Sequence, residues 1–420
     1  WKYMDLYNSY TARLSYVLSL GKPVIKSAIY FPIRDIWAGG KNLNSIVESH
    51  DKLAQLLLEK QNDFDLIDDD VLEDQLTKIS EGKLIVGPMK YDTVYISKSR
   101  WMSEKSKCKL EEFAAQGGKT ISVENTNNHN CKLKGALYIE INEIDKYIQP
   151  LIKLEPENSM IRVCCRQIQN SKLYFITNED TEKTSCKVIF NETMPLYIID
   201  AETGNCWRPE EAYYANSLWT LPLDLEFVGS CIVLFTDNEL SLEKHPEKPG
   251  KDILLLDEGW VCRVLKSYII GEHEFEVRTM DAELLPVQLG NWTQKLSENF
   301  SGDVEYILRF NCTEEESKKC TVLDLGTVKY ACEVFLNDKN IGRKAWKPFI
   351  FPLKGKLKAG INELKVIVTN TMANQYTNNS ILDKWPDIVM GSYHRICTDF
   401  EKDTVKNGSG LYGPVRILGI

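Results

Sequence analysis

The rhythm of apolar residues changes near residue 125, and no single layered fold accommodates both sides of that change. Upstream, helix-period and strand-type segments alternate. Leu6, Tyr10, Leu14, Val17 and Leu18 recur at three- and four-residue intervals, which predicts a helix ended by Gly21 and followed by the buried strand VIKSAIYFP. SIVESHDKLAQLLLEKQ reads as an amphipathic helix, DFDLIDDD as an acidic turn over Asp63 to Asp70, and VLEDQLTKI as a second helix. KLIV and TVYIS read as strands, KCKLEEFAAQ as a helix closed by Gly117 and Gly118, and TISVE as a further strand. Strands alternating with helices predict a parallel sheet covered on both faces. Downstream, short β-type runs bounded by turn residues dominate: MIRVCCRQI, SKLYFITNE, GSCIVLF, VEYILRFN, YACEVFLND, NELKVIVTN. That style predicts antiparallel sandwiches, with the charged stretch SLEKHPEKPGKD as a linker or surface loop between two of them.

A chain of 420 residues exceeds one ordinary domain. Its net charge of -9 offers no basic face, so nucleic acid is not an expected partner. No apolar run reaches the length a membrane helix needs, and the first residues lack the basic leader and plain apolar stretch of a signal peptide. The chain begins without an initiator Met and is expected to be cut from something longer. The 12 Cys fall mostly in strand-like runs, where reduced Cys behaves as a small hydrophobe. This favours a reducing compartment, although export is not readable. In an oxidising one, Cys312 and Cys320 would staple a strand-turn-strand.

Apparent chemical motifs resolve into ordinary structure. GSGLYG at 408–413 matches a dinucleotide fingerprint in letters, but Pro414 and a strand follow where a helix is required, so a turn is expected. DFDLIDDD interleaves apolar residues with its carboxylates and lacks the Gly of a calcium loop; it is expected to cap the next helix instead. His273 and Glu274 begin a zinc helix motif that fails at Val277, and no nucleophile elbow is present. Neither a metal nor a cofactor is expected. The 60 Asp and Glu cannot be sorted into a hydrolytic pair by spacing.

Several stretches resemble glycoside hydrolase family 106, the α-L-rhamnosidase type. YTARLSYVLSLGKPVIKSAIYFP is similar to the last helix and strand of that family's catalytic barrel. FDLIDDDVLED, GKLIVGPMKYDTVYIS and LEEFAAQGGKTI resemble the amidotransferase-like domain that follows it, and KLYFITNE and LYIIDAETG the next β-sandwich. LGNWTQ, FSGDVEYILRF, VLDLGTVKYACEVFLNDKNIGRKAWKPF, KAGINELKVIVTNTMANQ and SGLYGPVRI follow the order of its terminal domain, a pattern shared with family 2 sugar-binding domains.

The resemblance implies a multidomain α/β plus all-β chain. Residues 1–35 would be the end of a TIM barrel, and 36–125 a flavodoxin- or amidotransferase-like α/β domain. Residues 126–245 would form a β-sandwich, and 246–420 a galactose-binding-like jelly roll. The catalytic carboxylates would lie upstream of Trp1, leaving none in this chain, so the segment alone is expected to be inactive. Gln375 stands where the family usually has Arg. The expected partners are the upstream barrel and a rhamnose-containing glycan. Sugars need exposed rings beside planar polar groups, which singles out Arg343, Trp346, Asn370, Asn374 and Trp385 as carbohydrate-binding candidates. A glycan-holding scaffold that hydrolyses nothing is the alternative.

Overall fold

The structure, a computed structural model, describes residues 2–41, 43–124, 132–243, 250–271, 275–292, 295–378 and 408–419. Trp385 and the His273–Glu274 pair therefore lie outside the described residues. The chain divides into two compact units, Thr11–His245 and Trp1–Tyr10 with Pro246–Ile420.

In the first unit, five parallel strands form a sheet in the order Phe64–Ile67, Ser27–Tyr30, Thr93–Ile96, Lys119–Val123, Leu137–Ile139. In chain order this is 2-1-3-4-5, a doubly wound arrangement. Successive side chains on a strand point to opposite faces, and the strands use both. Ala28, Tyr30, Val94 and Ile96 pack with Leu110 and Phe113 of the helix Glu104–Ala115. Ile29, Tyr95 and Ile121 pack with Leu53 and Leu57 of the helix Leu43–Glu59. The two central strands are buried at every residue, as two covered faces require. Gly118 closes the turn after Glu104–Ala115 because a Cβ there would lie 2.1 Å from the Phe113 ring.

Four details differ from the sequence reading. The acidic segment is no turn: Phe64–Ile67 is the edge strand, with Asp65 accepting from Tyr91 OH at 2.8 Å, and only Asp68 acts as the expected helix cap, through Val71 N at 2.9 Å. The second helix stops at Glu73, because Asp74 turns the chain by accepting from Leu76 N at 2.7 Å. KLIV then pairs antiparallel in a separate three-stranded sheet, Lys78–Ser80, Lys83–Val86, Met89–Tyr91. Finally, the strand read as the end of a barrel, Ser27–Tyr30, lies between Phe64–Ile67 and Thr93–Ile96, so the boundary expected at residue 35 cuts through one sheet.

The rest of this unit is two antiparallel sheets. One runs Lys22–Pro23, Ile161–Ile168, Ser171–Asn178, Ser230–Phe235, Leu196–Ile199, Cys206–Trp207; the other Lys153–Glu155, Thr184–Phe190, Leu218–Leu225, Tyr213–Ala215. Alternate residues such as Ile161, Val163 and Cys165 meet Val188, Phe190, Leu221 and Leu223 in a shared core. Each fully buried aliphatic or aromatic side chain contributes about 1.5–3 kcal/mol of transfer free energy.

The second unit is built around Ser301–Cys312, paired to Gly360–Thr369 along its length and to Val261–Ile270 on its other side. Ala331–Leu336 and Lys339–Lys344 extend this sheet beyond Gly360–Thr369. A four-stranded sheet, Lys251–Leu255, Arg416–Gly419, Cys320–Asp324, Ile350–Pro352, faces it. Val304, Tyr306, Leu364 and Val366 of one sheet share a core with Leu323, Phe351 and Ile417 of the other. Trp260 lies inside, its indole donating to Leu256 O at 2.6 Å. The glycine-rich 408–413 segment departs from the expected turn: Gly410–Gly413 is a strand paired with Thr327–Lys329. Gly410, at φ +130°, tolerates no side chain, since its Cβ would sit 2.6 Å from Gly290 O.

Candidate functional site

Arg343 sits on Lys339–Lys344, opposite Glu333. Its guanidinium donates from Nη1 to Lys2 O at 3.1 Å and pairs from Nη2 with Asp5 at 2.7 Å. Trp346, half-buried beyond the same strand, meets the Tyr10 ring edge to face with centroids 5.5 Å apart. Lys2 pairs with Glu333 at 3.1 Å, and Tyr3 OH bonds Thr369 Oγ1 at 3.3 Å. Thr369 in turn donates to the buried Asp303 at 2.6 Å. Residues 2–10 thus lie as a strap along the sheet, and Arg343 and Trp346 are two of its fastenings.

The strap shifts its own titrations. Burial alone would pull Lys2 down, but Tyr3, Glu333 and Asp303 outweigh it, so the ammonium titrates above the usual lysine range. Burial pushes the Tyr3 phenol up, opposed by its bond to Thr369 and the Lys2 charge.

Asn370 and Asn374 come together elsewhere. Asn370 Oδ1 accepts from Gly302 N at 2.8 Å, and its Nδ2 donates to Phe300 O at 3.0 Å and Ser409 Oγ at 3.1 Å. Asn374 Nδ2 donates to the same two atoms, at 3.0 and 3.3 Å. Both side chains are buried. Gln375 bonds Ile270 N and Asn299 O. These amides knit the ends of Ser301–Cys312 and Gly360–Thr369 to the Ser409 segment. Among the described residues the asparagine pair and the Arg343–Trp346 pair share no partner. Sequence reasoning missed Lys2, Tyr3 and Asp5 as partners of this region; no local pattern links residue 3 to residue 369.

A polar cleft of about 510 Å³ opens at the carboxyl end of the parallel sheet. Lys98 Nζ donates to Ser45 Oγ at 2.7 Å there, and Ser49 Oγ to Glu124 at 2.9 Å. Among the described residues no group of three or more His, Cys, Asp or Glu is placed to hold a metal ion, and every described Cys is a free thiol. No helix among them is long and apolar enough to cross a membrane.

No family model matches the chain. Among solved structures, 98% of it superposes on a rhamnosidase from Novosphingobium sp. PP1Y with a TM-score of 0.64 and 18% identity. A putative beta-glucuronidase from Formosa agariphila is 29% identical over 155 residues, 31% of this chain. The chain spans 40% of the rhamnosidase and 13% of the glucuronidase. Over 98% of its length the chain thus shares the fold of part of that rhamnosidase.

Proposed function

We propose that this chain is the accessory C-terminal region of a glycoside hydrolase of the α-L-rhamnosidase type, acting on rhamnose-containing plant or bacterial glycans. Its catalytic carboxylates lie on a (β/α) barrel upstream of Trp1, and the helix Met4–Ser19 closes that barrel. An amidotransferase-like layer and a β-sandwich follow, and a galactose-binding-like jelly roll ends the chain. The observation that supports this reading best is the likeness along 98% of the chain to only 40% of a rhamnosidase. The strap adds a physical role: the terminal sandwich grips residues 2–10, the stretch through which an upstream domain would connect.

In this reading the segment positions a catalytic domain and does not hydrolyse. Paired carboxylates held at a set separation are required for glycoside cleavage, and this reading places them upstream. The test is turnover of an aryl α-L-rhamnoside by the purified 420-residue chain. A rate indistinguishable from buffer is expected, and activity surviving repurification would overturn the proposal.

A further inference from the structure

The doubly wound sheet reverses its strand order between Ser27–Tyr30 and Thr93–Ile96, so the loops leaving these two strands part in opposite directions. Crevices at such reversals, at the carboxyl end of a sheet, are the ordinary place for a ligand in this architecture. Here the segments that follow them are 31–41 and 97–103, and one buried carboxylate locks them together. Asp35, 4% exposed, accepts from Ser99 Oγ at 3.0 Å, Arg100 N at 2.7 Å and Trp101 N at 3.3 Å. Arg100 pairs with it at 3.3 Å and also donates to Gly39 O at 2.9 Å.

Two indoles ride on this rigid base without entering the core: Trp37 is 75% exposed and Trp101 45%. Arg34 bridges them. It precedes Trp37 by three residues in the helix Ile33–Ala38, hence on the same face, and its guanidinium lies 5.8 Å from the Trp101 ring centroid. Its planar group is oriented by Asp70 at 2.8 Å, Glu73 at 3.1 Å and Asp69 at 3.6 Å. Trp37 by helical spacing and Trp101 by its ring contact thus both neighbour the Arg34 guanidinium, which the 79%-exposed Asp70 side chain edges.

We propose that this Trp37–Arg34–Trp101 strip is a binding platform for a neutral sugar. Pyranose C–H faces stack on indoles, while hydroxyls are met by planar donors and by carboxylate acceptors. Charge selects the class. Three cations, Arg34, Arg100 and Lys105, stand against four carboxylates, Asp35, Asp69, Asp70 and Glu73, so the strip is net negative and disfavours uronates. The platform is independent of where hydrolysis takes place, so its failure and that of the accessory-region reading are separable.

The test is saturation-transfer NMR on the whole chain with L-rhamnose, D-galactose and D-glucuronate at millimolar concentration, repeated on Trp37→Ala and Trp101→Phe. Transfer to at least one neutral sugar is expected, weaker to glucuronate, with apparent affinity falling about tenfold in Trp37→Ala, the loss of one stacking partner. The exposed Trp37 should leave the melting temperature unchanged on substitution, and Trp101→Phe keeps a ring and should bind partially. No transfer to either neutral sugar, transfer untouched by both variants, or glucuronate preferred would each overturn the proposal. So would self-association of the parent that Trp37→Ala abolishes, which would make the strip a protein contact.

Discussion

Truncating the two buried asparagines separates a structural amide pair from a sugar-binding one. Both side chains donate to Phe300 O and Ser409 Oγ, so each backs up the other at those atoms. Only Asn370 also accepts from Gly302 N, a buried amide at the start of Ser301–Cys312. Asn370→Ala therefore leaves that donor unsatisfied, at about 1–3 kcal/mol, and removes two further bonds worth about 0.5–1 kcal/mol each because their acceptors keep Asn374. The total is roughly 2–5 kcal/mol. Asn374→Ala orphans nothing and should cost about 1–2 kcal/mol by the same reasoning. Urea unfolding followed by tryptophan fluorescence reports this unit through Trp260 and Trp292, both buried in it. Equal losses for the two variants would refute the assignment of Gly302 N to Asn370 alone. Unchanged midpoints together with lost sugar binding would return both asparagines to the ligand-binding role suggested by sequence.

Gly118→Ala should destabilise by about 1–3 kcal/mol through overpacking against Phe113; a gain in melting temperature, the usual result of Gly→Ala at an open site, would show that the ring yields. The strap should loosen in alkali: Lys2 and Tyr3 both titrate above their ordinary values of 10.5 and 10.0, so their contribution is complete below those values and is lost as pH rises through the folded ones. Hydrogen exchange of residues 2–10 should accordingly rise above about pH 10 before the sandwich core opens, and simultaneous exchange of strap and core would contradict this. Cys312 and Cys320 are free, buried and in hydrogen-bond contact, with burial raising both thiols, Cys320 to about 12. Slow oxidation with a disulfide catalyst should join them and stabilise the unit by about 2–3 kcal/mol, the entropy of closing so short a loop; mass mapping that finds other pairings, or a lower melting temperature, would count against it.

The sequence carried the fold where local pattern and final environment agree. Leu43–Glu59 was visible because its apolar stripe faces one sheet surface, and Thr93–Ile96 because a strand buried on both sides is apolar throughout. It failed where environment overrode pattern. Phe64–Ile67 resembled a turn because Asp63, Asp65 and Asp68 to Asp70 crowd around it, while the structure holds Asp65 with Tyr91 OH and leaves Leu66 exposed at the sheet edge. Lys83–Val86 resembled a parallel strand because hydrophobicity says nothing about direction; Asp74, whose side chain ends the preceding helix, was the overlooked signal. Ser27–Tyr30 followed a helix as a barrel strand would, and only its register with Phe64–Ile67 and Thr93–Ile96 reveals its sheet.

The site residues expose a deeper degeneracy. A guanidinium that holds a peptide carbonyl and a carboxylate needs the same planar donors as one that holds sugar hydroxyls, and a ring that meets another ring edge-on needs the same exposed face as one that stacks on a pyranose. Arg343 and Trp346 have that chemistry, and the structure spends it on Lys2, Asp5 and Tyr10. Residue type therefore points to a recognition chemistry without saying what is recognised. What decides is whether a partner within the chain is already in place. At Arg343 one is, more than 300 positions away in sequence, which is why no local motif announces it. At Trp37 the ring remains three-quarters exposed on the short helix Ile33–Ala38, anchored by the buried Asp35 carboxylate, so its face is still available to a ligand from outside the chain.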